Sequence, residues 1–163
     1  MTRQRKFRDL RTEDFIVAED GEVLVRRCYP VRMHGDRPTP FPTLYWLAGE
    51  ALVKHISHVE REGWIKRLEA EIAADPELTA AFRADHARYI EQRWALLDEE
   101  DRALVRRFDM EADLRERGIG GLLDFGKIKC LHLQYAHHLA DANTVGRLLE
   151  ERGLLTRPKL APS

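Results

Sequence analysis

The sequence predicts an α+β fold, mainly α: an N-terminal β-hairpin and a Pro-rich loop packed on five or six helices, including a long helical hairpin. Three observations predict it. Two runs of β-branched and aromatic residues flank Asp20-Gly21. Three prolines and a glycine crowd the twelve residues 32–43. From Tyr45 onward, apolar residues recur with a helical period.

The hairpin comes first. Phe15–Ala18 and Val23–Cys28 read as strands, and Gly21 tolerates the positive φ that a tight turn demands. The next segment, "RMHGDRPTPFPT", is expected to be irregular, because proline withholds a backbone donor. Phe41, Leu44, Tyr45 and Trp46 close it and are expected to pin it to the core. Helices follow. Leu47, Ala51, Val53, Ile56 and Val59 share one face, and Gly63 ends that helix. Ile65, Leu68 and Ile72 mark the next. Asp75-Pro76 is an N-cap followed by a first-turn proline, opening a long helix. Asp98 caps another that runs to Gly118, and these two are expected to form a protruding, charge-rich hairpin. A helix over Lys129–Ala140 and a last one capped by Asn143 or Thr144 complete the set. The chain reads as one domain over 1–155, with 156–163 as a flexible tail.

Composition narrows the function classes. The apolar fraction of 44% supports one ordinary core. The charges nearly cancel, 27 basic against 28 acidic, which disfavours a nucleic-acid partner bound through a global basic field. Cys28 and Cys130 make no disulfide framework. The start "MTRQRKFRDL" lacks the apolar core of a signal peptide. No apolar run approaches the roughly 18 residues of a membrane span. The expectation is a soluble cytoplasmic protein with no membrane partner.

Residues 118–138, "GIGGLLDFGKIKCLHLQYAHH", carry most of the candidate chemistry. Gly121 to Lys127 spells G-x-x-x-x-G-K, but Ile128 follows the lysine, the interior is bulky, and a helix end precedes it. A nucleotide-cradling loop needs a strand before it and Ser or Thr after the lysine. The glycines therefore read as a turn. Cys28, Cys130, His132 and His137 would give an S2N2 set that suits zinc. Helical spacing separates Cys130 from His132 by about 200° and His132 from His137 by about 140°. Buried packing is the competing reading for these four residues. A Cys130 nucleophile with His132 as base is the weaker variant, since helix placement alone says little about a lowered thiol pKa. His55 and His58 read as an exposed helix face. Arg26, Arg27, Arg32, Arg37, Lys127 and Lys129 would converge on an anion if the hairpin packs near residues 127–130. Phe41, Tyr45 and Trp46 read as core rather than a stacking platform.

"TPFPTLYWL", "LVKHISHVEREG", "GG…KIKCLH…AHHLA" and "NTVG" together resemble the domain-of-unknown-function family 501, a bacterial family without an assigned activity. The resemblance runs from about Val25 to Gly146. It matches at Cys28, Thr39, Phe41, Pro42, Thr43, Tyr45, Trp46, Lys129, Cys130, His132, His137, Asn143 and Gly146. It departs at Gly49, where many relatives carry a further cysteine, and at Cys28-Tyr29-Pro30-Val31, where Cys-Pro-Tyr-Gly is common. The proline that commonly follows the Asn of "NTVG" is also missing. Genes of that family often lie beside a coiled-coil septum-formation initiator and an exopolyphosphatase-type phosphatase. The resemblance thus implies a phosphate-rich ligand or a cell-division partner. The leading expectation is a binding protein for a phosphate-bearing anion, with Arg27, Lys127 and Lys129 supplying charge and Thr43, Tyr45 and His132 orienting the ligand. The alternatives are a metal- or cysteine-dependent enzyme using Cys28, Cys130, His132 and His137, with zinc as cofactor, and a protein-interaction module linked to cell division.

Overall fold

The computed structural model describes residues 12–163. The N-terminal stretch read above for a signal peptide lies outside them. The fold is α+β and mainly α, as predicted.

Strands β1 (Thr12–Val17) and β2 (Val23–Cys28) form the expected antiparallel hairpin. Gly21 sits in its turn at φ 94°. Residues 31–40 are not irregular. They form a two-stranded ribbon of β3 (Val31–His34) and β4 (Arg37–Pro40), with Val31 opposite Pro40 and Met33 opposite Pro38. The prolines are tolerated because they alternate. The Phe41 N–H donates to the Pro30 carbonyl, so along β4 the inward-pointing N–H groups belong to odd-numbered residues, and Pro38 and Pro40 withhold only outward donors. A second correction follows at residues 45–47. They begin no helix but form β5 (Tyr45–Leu47), which pairs antiparallel with β2 in the sheet order β1-β2-β5. The pleat then sends neighbours to opposite faces. Tyr45 and Leu47 are buried, while Trp46, opposite Arg26, is 53% exposed.

Seven α-helices follow among the described residues: α1 (Glu50–Arg61), α2 (Trp64–Ala74), α3 (Pro76–Leu96), α4 (Glu99–Arg107), α5 (Glu111–Arg115), α6 (Leu131–Ala140) and α7 (Thr144–Glu151). The caps agree with the sequence. Asp75 accepts from the Glu77 and Leu78 N–H groups, Asp98 from Asp101, and Asn143 from Gly146. The helix expected over 99–117 breaks into α4 and α5 at Asp109, which takes φ 56°. The long helix α3 does not protrude. Phe82, Asp85, His86, Tyr89, Arg93 and Trp94 are all buried along it. It joins the main core, which includes Val25, Ile56, Leu68, Phe82, Tyr135 and Leu149, to a second one built from Tyr29, Met33, Trp94, Val105 and Leu114.

The C-terminal segment expected to fray instead lies beside β1. Ala18 bridges Leu160, Glu19 N–H donates to the Lys159 carbonyl, and Ala161 N–H donates to the Val17 carbonyl. The physical reason is the free outer edge of β1, whose unpaired backbone groups the tail satisfies.

Candidate functional site

A cavity of about 510 Å³ opens between the exposed side of β5 and the first turn of α6. Trp46, Val53 and Leu133 give it an apolar lining. Ser57, Lys129, Cys130 and His132 supply its polar groups. The glycine turn of residues 118–121 fixes the approach to α6. Gly120 adopts φ 80°, and a Cβ there would lie 2.4 Å from Lys129 Cβ. Gly120→Ala is expected to shift Lys129 and cost about 1–3 kcal/mol through steric overlap and backbone strain. Urea unfolding measures it, and a loss under about 0.5 kcal/mol would refute that role.

Two carboxylates hold the segment between the turn and α6. Glu69 accepts the Ile128 N–H at 2.8 Å, and Glu60 accepts the Leu131 N–H at 2.7 Å. Cys130 is the N-cap of α6, with its sulfur accepting the Leu133 N–H at 3.5 Å. His132 Nε2 lies 3.0 Å from Ser57 Oγ and 3.1 Å from the Val53 carbonyl. Its Nδ1 lies 3.5 Å from Glu60 Oε2. Burial pushes the Cys130 thiol up, and Glu60 adds to that against the Leu133 and His132 N–H groups and Lys129. A free thiolate is therefore disfavoured, which counts against Cys130 as a nucleophile.

The family model for a protein of unknown function, DUF501, matches residues 16–151. The chain belongs to the DUF501 family. The match spans every side chain that lines the DUF501 cavity, from Trp46 to Leu133. No curated protein and no solved structure matches this DUF501 chain. Among its described residues, no helix is long and apolar enough to cross a membrane.

Only part of the sequence-predicted site comes together in this DUF501 protein. Lys129, Cys130 and His132 line the cavity. Arg27 lies on the other side of the sheet, where its Nε donates to Glu13 at 2.7 Å and its guanidinium covers the Phe15 ring. Tyr45 is buried between Phe15 and His137, with centroid separations of 5.5 and 5.8 Å. Thr43 and Lys127 are not among the cavity-lining residues.

The four-residue zinc set is not assembled either. Among the described residues, the metal-ligating side chains whose donor atoms lie within 4.8 Å of one another are Glu60, Cys130 and His132. Cys28 opens instead on a separate cavity of about 330 Å³, with Arg26, Arg32 and Phe41. Burial raises its thiol, against Arg32 and Arg26. His137 is fully buried and bonds to Asn143 Nδ2 at 3.2 Å, because its place on α6 turns it away from His132. A larger cavity, about 670 Å³, lies between the β1–β2 turn and the C-terminal segment. It presents Glu19, Asp20, Glu22, His55 and Lys159 at an open surface without a converging donor set among the described residues.

Three members of the site escaped sequence reasoning: Trp46 as an exposed face, Ser57 and Glu60. The signal for the last two was available. Val53, Ser57 and Glu60 fall at i, i+4 and i+7, one stripe of α1.

Proposed function

We propose that this protein binds a small ligand with a flat apolar part and a phosphate-type anionic group in the cavity beside Trp46. The observation that carries the reading is the half-exposed Trp46 indole at the wall of a cavity that also holds an exposed lysine. A large aromatic left in water costs free energy that a stacked partner recovers. Lys129 has no ion-pair partner among the described residues, so its charge is available to an anion. Ser57 and His132 would orient the ligand. Arg27 and Tyr45, engaged elsewhere, leave the site. A cytosolic setting belongs to the same reading, since both thiols are free.

The test is a titration of the full chain with ATP, ADP and inorganic polyphosphate, read by tryptophan fluorescence and thermal shift. Quenching is expected, and it disappears in Trp46→Phe, although Trp64 and Trp94 remain. Lys129→Ala is expected to weaken binding at least about tenfold and to flatten its salt dependence. No response to any of these probes, or a Lys129→Ala variant that binds like the wild type, would rule the reading out.

A further inference from the structure

The hydrogen bonds around His132 fix its tautomer. Ser57 Oγ donates its proton to the Val53 carbonyl at 3.0 Å, so the Ser57 oxygen has only lone pairs to offer the ring. His132 Nε2 therefore faces two acceptors, Ser57 Oγ at 3.0 Å and the Val53 carbonyl at 3.1 Å, and carries the ring proton. The lone pair of a neutral ring is then on Nδ1, on the side of Glu60 Oε2 at 3.5 Å. Two electron-rich atoms in that arrangement repel each other unless a proton on Nδ1 or a metal ion lies between them. A third donor is at hand, since the Cys130 sulfur lies within 4.8 Å of both.

We propose that Glu60, Cys130 and His132 form a binding site for one zinc-class divalent ion, with its remaining coordination position open to the cavity beside Trp46. Zinc bonds of about 2.0–2.3 Å in a tetrahedron set neighbouring ligand atoms about 3.3–3.8 Å apart. The His132–Glu60 separation already meets that spacing, and the sulfur has at most about 1.3 Å to travel. One imidazole, one thiolate and one carboxylate suit zinc rather than magnesium or calcium, which prefer oxygen alone. The surrounding contacts are those that orient metal ligands. The distal nitrogen of His132 donates to a backbone carbonyl, Glu60 takes a backbone N–H, and the sulfur takes another. Lys129 is exposed, so solvent screens its repulsion of the ion. Burial beside Glu60 keeps the thiol protonated in the metal-free protein. Binding therefore exchanges the S–H proton, released to solvent, for a metal–sulfur bond.

The experiment uses the full chain, purified without chelators or a metal-binding tag, and titrated with zinc and cobalt(II) alone. We expect about one ion per chain, a sulfur-to-cobalt charge-transfer band, and zinc protection of Cys130 against alkylation as read by mass spectrometry. Cys130→Ser and Glu60→Gln are expected to weaken binding at least tenfold, while Cys28→Ser leaves it unchanged. The alkylation measurement needs no variant, so it stands even if one of them fails to fold. No cobalt band, no protection of Cys130, or binding that depends on Cys28 would overturn the proposal. The ion is tested without phosphate ligands, and the ligand titration is repeated on metal-free protein, so either reading can fail without the other.

Discussion

Arg93→Met will lower the unfolding free energy by about 3–5 kcal/mol, the loss typical of removing one partner from a buried charged network. Arg93 is 0% exposed. Its guanidinium makes four hydrogen bonds to three carbonyls: Nε and Nη2 to Leu114, Nη2 also to Arg117, and Nη1 to Pro42. Burial lowers its pKa to about 10, so it is still a cation at neutral pH. The carbonyls of Leu114 and Arg117 lie at the end of α5 and just beyond, where a helix leaves its acceptors unpaired and favours positive charge. The third carbonyl, Pro42, belongs to the segment that leads into β5 and Trp46. One side chain thus ties α3 to α5 and to the strand that forms the wall of the candidate site. Methionine fills much of the volume but satisfies none of the acceptors. Arg93→Lys keeps the charge without the fork and is expected to fall between the two. Urea unfolding of the three proteins measures this. A methionine variant within about 1 kcal/mol of wild type would refute the assignment.

Arg93 also shows where sequence reading stopped. Its helix, "PELTAAFRADHARYIEQRWAL", carries charges along its length, and averaged charge reads as a solvated face. What buries Arg93, His86 and Asp85 is the set of acceptors and donors brought in from Pro42, Leu114, Ile119 and Thr144. No local pattern encodes partners that lie twenty to sixty residues away. The same limit explains β5. Three residues are too few to establish a period, and Tyr45–Leu47 is a strand only because β2 lies beside it. Once that pairing is missed, Trp46 reads as core, although the pleat makes it the exposed member of the three. Local chemistry was legible throughout. Asp20-Gly21, Asp75-Pro76, Asp98 and Asn143 did what their side chains dictate, and Gly120 made a turn rather than a phosphate loop. The site was half legible for the same reason. Lys129, Cys130 and His132 are neighbours in sequence, whereas Glu60 and Ser57 reach them only through the packing of α1 on α6.

Between pH 7 and pH 5 the protein will lose about 3–4 kcal/mol of stability, because two histidines are buried in the neutral form. His86 and His137 are both 0% exposed. His86 Nδ1 accepts the Ile119 N–H at 3.0 Å, and its ring stacks on Phe125 with 4.6 Å between centroids. Protonating that nitrogen would break the bond and place a charge among aromatic rings. Burial lowers the His86 pKa to about 4, only partly offset by Asp124. Burial lowers that of His137 to about 3, with Asp141 as the main opposing influence. In the unfolded chain both take up a proton near pH 6.5. Below that pH the unfolded state binds more protons than the folded one, so stability falls as pH falls. The decline begins near pH 6.5 and continues to about 4 for His86 and about 3 for His137. Each histidine contributes a slope approaching 1.36 kcal/mol per pH unit, or about 1.8 kcal/mol over the interval from 7 to 5. A domain with a total stability of about 5–15 kcal/mol is then close to acid unfolding near pH 4–5. His86→Asn and His137→Asn each keep an acceptor near the Nδ1 position but cannot titrate. Both will be less stable than wild type at pH 7 through lost ring packing, yet each will show about half the wild-type fall between pH 7 and 5. Equal wild-type stability at the two pH values, or single variants that keep the full slope, would show that the buried rings do not control the acid response.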